Sequence, residues 1–128
     1  SVANTAFDFR QSRPIGAAIP GPGGFDHNFC LSGPAGADGL RPCLIASDPA
    51  SDRRMRLSTT EPGVQLYTGA HFANGPGKVG ARYSRFAGFA VETQRFPDAP
   101  NNPQFPSARL NPGQTYRHLM RFDFSPAP

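Results

Sequence analysis

Tryptophan is absent, and cysteine occurs twice, as Cys30 and Cys43. Two cysteines do not make a disulfide scaffold. No apolar run approaches the roughly 20 residues of a membrane helix, so no membrane partner is expected. No charged-then-apolar leader opens the chain, which sets the cytoplasm as the expected compartment. The chain starts at Ser1 rather than Met, which reads as processing or as a fragment. In that compartment both cysteines read as reduced; one bridge between them is the alternative. No C-x-x-C pair occurs, and His27, His71 and His118 lack ligand spacing, so no metal site is expected. Gly21-Pro22-Gly23-Gly24 lacks the Lys-Ser/Thr ending of a phosphate loop. No Gly-x-Ser-x-Gly nucleophile elbow is present either. The net charge is only +4, and Arg53, Arg54 and Arg56 form its one cluster. Three arginines are a weak nucleic-acid footprint, so no nucleic-acid partner is expected; the cluster reads as a solvated strand edge.

What is abundant is Gly (14), Pro (15) and Phe (11), with 3 Tyr. Gly and Pro disfavour helix. The aromatics argue against disorder, because disordered chains are poor in them. Short strands joined by many turns satisfy both, and the fold class is read as all-β, an antiparallel sandwich or barrel. Length allows one domain or part of one.

Alternation places strands at residues 7–10, 25–31, 44–46 with their flanks, 54–60, 64–68, 86–93 and 116–124. In the span 54–60, Met55, Leu57 and Thr59 share one face and Arg54, Arg56 and Ser58 the other. Residues 14–24, 32–42, 74–77 and 96–113 read as loops. The last of the long loops carries Pro97, Pro100, Pro103 and Pro106. So few strands make a thin core for an independent sandwich.

Polar residues set inside apolar strands are the candidates for chemistry. Glu92 follows Gly88-Phe89-Ala90-Val91. Partial desolvation at the end of an apolar strand would make it a better base; an exposed or salt-bridged strand-end Glu is the alternative. Asp26 could accept hydrogen bonds from ligand hydroxyls, or could cap a local turn. Gln65, between Val64 and Leu66, could give and take hydrogen bonds with sugar hydroxyls, or could face solvent. Tyr67 and the phenylalanines could stack on a sugar ring, although the core needs aromatics too. His27 reads as structural, and His118 as a packed strand histidine.

Several strings then fall into a known order. They are Phe7-Asp8-Phe9-Arg10, Gly24-Phe25-Asp26-His27-Asn28-Phe29 and Thr59-Thr60-Glu61-Pro62-Gly63-Val64-Gln65-Leu66-Tyr67-Thr68-Gly69. They continue with Gly88-Phe89-Ala90-Val91-Glu92-Thr93-Gln94, Phe96-Pro97-Asp98-Ala99-Pro100-Asn101 and Leu110-Asn111-Pro112-Gly113-Gln114-Thr115-Tyr116-Arg117-His118. Together they resemble the aldose 1-epimerases (galactose mutarotases), over essentially the whole chain and matching about the last third of such a protein.

The resemblance implies an antiparallel β-sandwich of the galactose-mutarotase type, with residues 1–128 as the C-terminal part of a single domain. It implies interconversion of the α and β anomers of free hexoses such as glucose and galactose, without metal or organic cofactor. By the family's motifs, Glu92 stands where the general base stands, and Asp26 and Gln65 stand where sugar hydroxyls are held. The family's general acid, a histidine of its middle third, has no counterpart here. An arginine and a second histidine that bind the sugar also lie upstream of the matching part. His27, His71 and His118 stand in none of those motifs. The family usually has Asn after Tyr-Thr-Gly, where this chain has Ala70-His71. A base without its acid partner loses most of the rate, each such group contributing ~10²–10⁴-fold, so the chain alone is expected to be weak or inactive. The missing N-terminal part of the same fold is then an expected partner. Three rivals remain at this point: a non-catalytic carbohydrate-binding module, a structural piece completing a sandwich, and polyanion binding through the arginine cluster.

Overall fold

α-Helix is confined to one turn, α1 (Ile15–Ala18), in a computed structural model that describes residues 1–127, with single 3₁₀ turns at Lys78–Gly80 and Ala99–Asn101. α1 falls within the expected 14–24 loop, and no side chain caps it. The strands are β1 (Asp26–Cys30), β2 (Arg41–Asp48), β3 (Arg53–Thr59), β4 (Gly63–Tyr67), β5 (Gly75–Pro76), β6 (Arg82–Tyr83), β7 (Ala90–Gln94) and β8 (Met120–Ser125). They form sheets in the orders β1–β4–β7, β2–β3–β8 and β5–β6. The all-β expectation holds.

Four expected spans differ. Residues 7–10 form no strand: Asp8 and Arg10 close on each other through two side-chain hydrogen bonds of 2.8 and 2.7 Å. This fork holds the Asp8 carboxyl down at about 2. The 86–93 strand begins only at Ala90, because Phe86 takes a left-handed φ of 61° that breaks extension. The 116–124 strand begins at Met120, and Tyr116 and His118 reach sideways instead. Gly75-Pro76 reads as loop in sequence but pairs with Arg82–Tyr83. In the 96–113 loop, a 3₁₀ turn at Ala99–Asn101 is the one regular element.

The chain divides into two compact units, Ser1–His27 with Gln65–Val91, and Asn28–Val64 with Glu92–Pro128. In the first, Phe25 is fully buried. The rings of Phe7 and Phe9 meet it edge-on, at 5.8 and 5.4 Å. Its backbone is locked to Thr68: Phe25 N–H donates to Thr68 Oγ1 at 2.9 Å, and Thr68 N–H donates to the Phe25 carbonyl at 3.0 Å. The close approach requires glycine before Phe25. Gly24 has φ +63°, and a Cβ there would strike Thr68 Oγ1 and stand 2.8 Å from Phe86.

In the second unit, β3 pairs antiparallel with β2 and β8. The register lines up Leu44, Leu57 and Phe122, then Ala46, Met55 and Phe124, along one face. Leu57 is fully buried at its centre, whereas Phe124 is 75% exposed. Arg53, Arg54 and Arg56 therefore lie on the central strand, not on a sheet edge as expected. Pro42 is tolerated because β2 is an edge strand, and the register shifts between Pro42 and Leu44. The core is as thin as expected: the largest fully buried side chains are Phe25, Leu57, Glu61 and Thr59, so half of them are polar.

Both cysteines are free, Cys30 exposed and Cys43 half-buried. Burial pushes the Cys43 thiol up to about 11. Its thiolate fraction at pH 8 is then on the order of 10⁻³. Thiol titration at pH 8 is expected to label Cys30 rapidly and Cys43 only as the protein unfolds. Gly24→Ala is expected to cost about 1–3 kcal/mol in urea unfolding, from the left-handed backbone and the clash. Gly23→Ala, whose Cβ meets nothing within 4 Å, is the near-neutral control.

Candidate functional site

In the first unit the Gly24–Phe25 lock fixes the start of β1, and Asp26 follows directly. On β4 the alternation buries Val64 and turns Gln65 to the other face. The result is a direct bond: Gln65 Nε2 donates to Asp26 Oδ1 at 2.7 Å. The amide nitrogen must be the donor, since a carboxylate only accepts. Asp26 thus reaches across to β4 rather than capping a local turn. Asp26 is exposed and Gln65 half-buried. Together they offer carboxylate and amide oxygens to hydroxyl donors, and amide hydrogens to hydroxyl acceptors.

His27 makes local contacts within the first unit. Its Nδ1 accepts the Asp26 backbone N–H at 3.1 Å, and its ring meets Phe7 at 4.8 Å. Tyr67 is half-buried at the end of β4. Its hydroxyl accepts the His71 N–H at 3.0 Å, and the two rings stack at 6.3 Å. This bond ties the Ala70-His71 loop back to β4.

Glu92 lies in the second unit, on β7. The expected desolvation is absent within this chain: Glu92 is exposed. The apolar strand expected to precede it is not formed over residues 86–89, and Phe89 is 44% exposed. Alternation sends Thr93 inward, 7% exposed, and Glu92 outward. Thr93 Oγ1 lies 2.6 Å from His118 Nε2. Gln94 Nε2 lies 3.4 Å from Asn28 Oδ1. His118 is exposed, not a packed strand histidine, because β8 starts beyond it.

One feature escaped the sequence reading altogether. Glu61 is 1% exposed. Tyr116 donates its hydroxyl to Glu61 Oε1 at 2.8 Å, and Arg95 Nε stands 3.3 Å from Oε2. The Arg95 contact is an ion pair out of line for a hydrogen bond, so Oε2 has no aligned donor. Loss of water, then the bond to Glu61 and its charge, raise the Tyr116 phenol, with Arg95 opposing. A Glu before Pro-Gly reads as a solvated turn residue. Continuing the inward series Leu57, Thr59 one step further would have pointed to residue 61. Among the described residues no cluster of His, Cys, Asp and Glu is placed to hold a metal. No helix among them is long and apolar enough to cross a membrane.

Known proteins share this arrangement of strands and motifs. The family model described as Aldose 1-epimerase matches residues 1–123. A galactose mutarotase of Bos taurus is 44% identical over 131 residues, covering 99% of this chain and 37% of that protein. An aldose 1-epimerase of Escherichia coli is 30% identical over 132 residues, covering 97% of this chain and 38% of that protein. The crystal structure of a GalM/aldose epimerase homologue from C. elegans superposes with a TM-score of 0.85 at 25% identity, covering all of this chain and 39% of the other. The chain thus spans less than two-fifths of the length of these relatives, and matches their C-terminal part. Its sheets are a portion of the galactose-mutarotase type of antiparallel β-sandwich. The chain belongs to the aldose 1-epimerase family.

Proposed function

We propose that residues 1–128 are part of a single aldose 1-epimerase domain whose protein interconverts the α and β anomers of free hexoses such as glucose and galactose. What carries the reading is the likeness to galactose mutarotases over nearly the whole chain. In this reading Glu92 is the general base that removes the anomeric hydroxyl proton. An acid protonates the ring oxygen, the ring opens, the C1–C2 bond rotates and the ring recloses. Asp26 and Gln65 hold sugar hydroxyls, and their 2.7 Å bond supports this by fixing both side chains before a ligand arrives. Such preorganisation spares the cost of ordering them on binding. The reaction needs no metal or organic cofactor.

The acid is supplied from outside residues 1–128, by the N-terminal part of the same fold. The short span relative to the relatives supports this, as does the apolar face of β2–β3–β8 that leaves Phe122 and Phe124 exposed. The same part would remove Glu92 from water and make it a stronger base. The two free thiols support a cytoplasmic location. A second reading, sugar binding without turnover, is favoured by the Asp26–Gln65 pair, which needs no acid to hold a hydroxyl.

Polarimetry of fresh α-glucose and α-galactose tests both readings. Residues 1–128 alone are expected to leave the mutarotation rate close to that of buffer. The protein completed with its upstream part is expected to accelerate it, and Glu92→Gln to remove ~10²–10⁴-fold of that acceleration. Acceleration unchanged in Glu92→Gln would refute the role of Glu92. Hexose binding abolished by Asp26→Ala, with no turnover in the completed protein, would establish the binding-module reading instead.

A further inference from the structure

We propose that Glu61, Tyr116 and Arg95, with Thr93 and His118, form a clamp on the back of β7 that positions Glu92; the inference rests on the reading of Glu92 as the base. Every member belongs to the second unit, as does Glu92.

The argument starts from alternation. Glu92 faces outward on β7, and its neighbour Thr93 faces inward. The inward side is held at two points by one segment of chain. His118 Nε2 lies 2.6 Å from Thr93 Oγ1. Two residues earlier, Tyr116 bonds Glu61 at 2.8 Å, and Glu61 in turn faces Arg95, just past the end of β7. The segment itself is fastened to the residue before Glu61. Leu119 N–H donates to Thr60 Oγ1 at 3.1 Å, and Thr60 N–H donates to the Leu119 carbonyl at 3.1 Å. Glu61 N–H donates to Thr59 Oγ1 at 3.1 Å, and Thr59 is fully buried. Residues 93 and 95 are therefore tied to a backing, while residue 92, immediately before them, is presented outward.

Energetics point the same way. A buried carboxylate with one oxygen lacking an aligned donor is an expensive means of stabilising a fold, and well-packed apolar side chains of similar volume often do as well or better. What the polar set supplies and apolar packing does not is direction. Tyr116 and Arg95 approach different oxygens of one carboxylate, which fixes the angle at which β7 ends. A general base loses rate steeply when displaced, on the order of 10²-fold for an error near 1 Å. These side chains are positioning residues and touch no reacting atom.

Tyr116→Phe is the sharp test, because it removes one hydroxyl and keeps the ring. Hydrogen exchange on the 128-residue chain is expected to show amides 92–95 opening about tenfold faster, with amides 54–57 of β3 unchanged. In the catalytically competent protein, the variant is expected to lower kcat on the order of 10-fold with KM nearly constant. The double variant with Glu92→Gln should cost no more than Glu92→Gln alone, since a clamp acting through Glu92 then has nothing left to position. Glu61→Gln, which keeps an acceptor for Tyr116, should fall between wild type and Tyr116→Phe. Unchanged exchange at 92–95 would overturn the clamp whatever the activity. Costs that add in the double variant would overturn its action through Glu92. Faster exchange at 92–95 with full activity in Glu92→Gln would keep the clamp and remove the catalytic reading.

Discussion

A carboxylate without water holds the second unit in order. Glu61 is shut in by Thr59 beneath it and by Tyr116 and Arg95 around it. The Tyr116 hydroxyl and the Arg95 guanidinium are the partners of the carboxylate, and losing one leaves a buried charged group less well compensated, which costs more than losing an ordinary contact. The set joins three segments of chain. They are the turn between β3 and β4, the end of β7 and the approach to β8. A core with so few large apolar side chains relies on such polar anchors for definition.

The first unit solves the same problem with backbone. Gly24 removes a Cβ, and that absence lets Phe25 exchange hydrogen bonds with Thr68. Phe25 then collects Phe7 and Phe9, so the opening segment is fastened by aromatic edges rather than by strand pairing. The position of Asp26 is a by-product of that packing. One residue beyond a fully buried phenylalanine, it emerges at the surface with its carboxylate already bonded to Gln65. Rigid scaffold and exposed polar group alternate at single-residue spacing, which is what a strand does most readily.

Strand patterning made much of this legible. Period-2 alternation located β3 and β4 almost to the residue, and the Pro and Gly punctuation located the long loops. It misjudged places where one residue overrides the pattern. The left-handed Phe86 cuts an alternating run that otherwise reads as strand. Asp8 and Arg10 prefer each other to a neighbouring strand. Tyr116 and His118 alternate perfectly, yet serve as lateral ties because their partners, Glu61 and Thr93, lie 55 and 25 residues away. No local rule carries information over such distances.

Composition and spacing by themselves determined the all-β class and the absence of a local metal or phosphate motif, while the family entered through the resemblance of whole motifs to known proteins. The former are properties of short stretches of chain, where residue type and period suffice. The tertiary structure alone decided that Asp26 meets Gln65, that Glu92 stands exposed, and that a turn glutamate is the most buried carboxylate of the second unit. Burial is a property of what packs around a side chain, and those neighbours arrive from distant parts of the sequence.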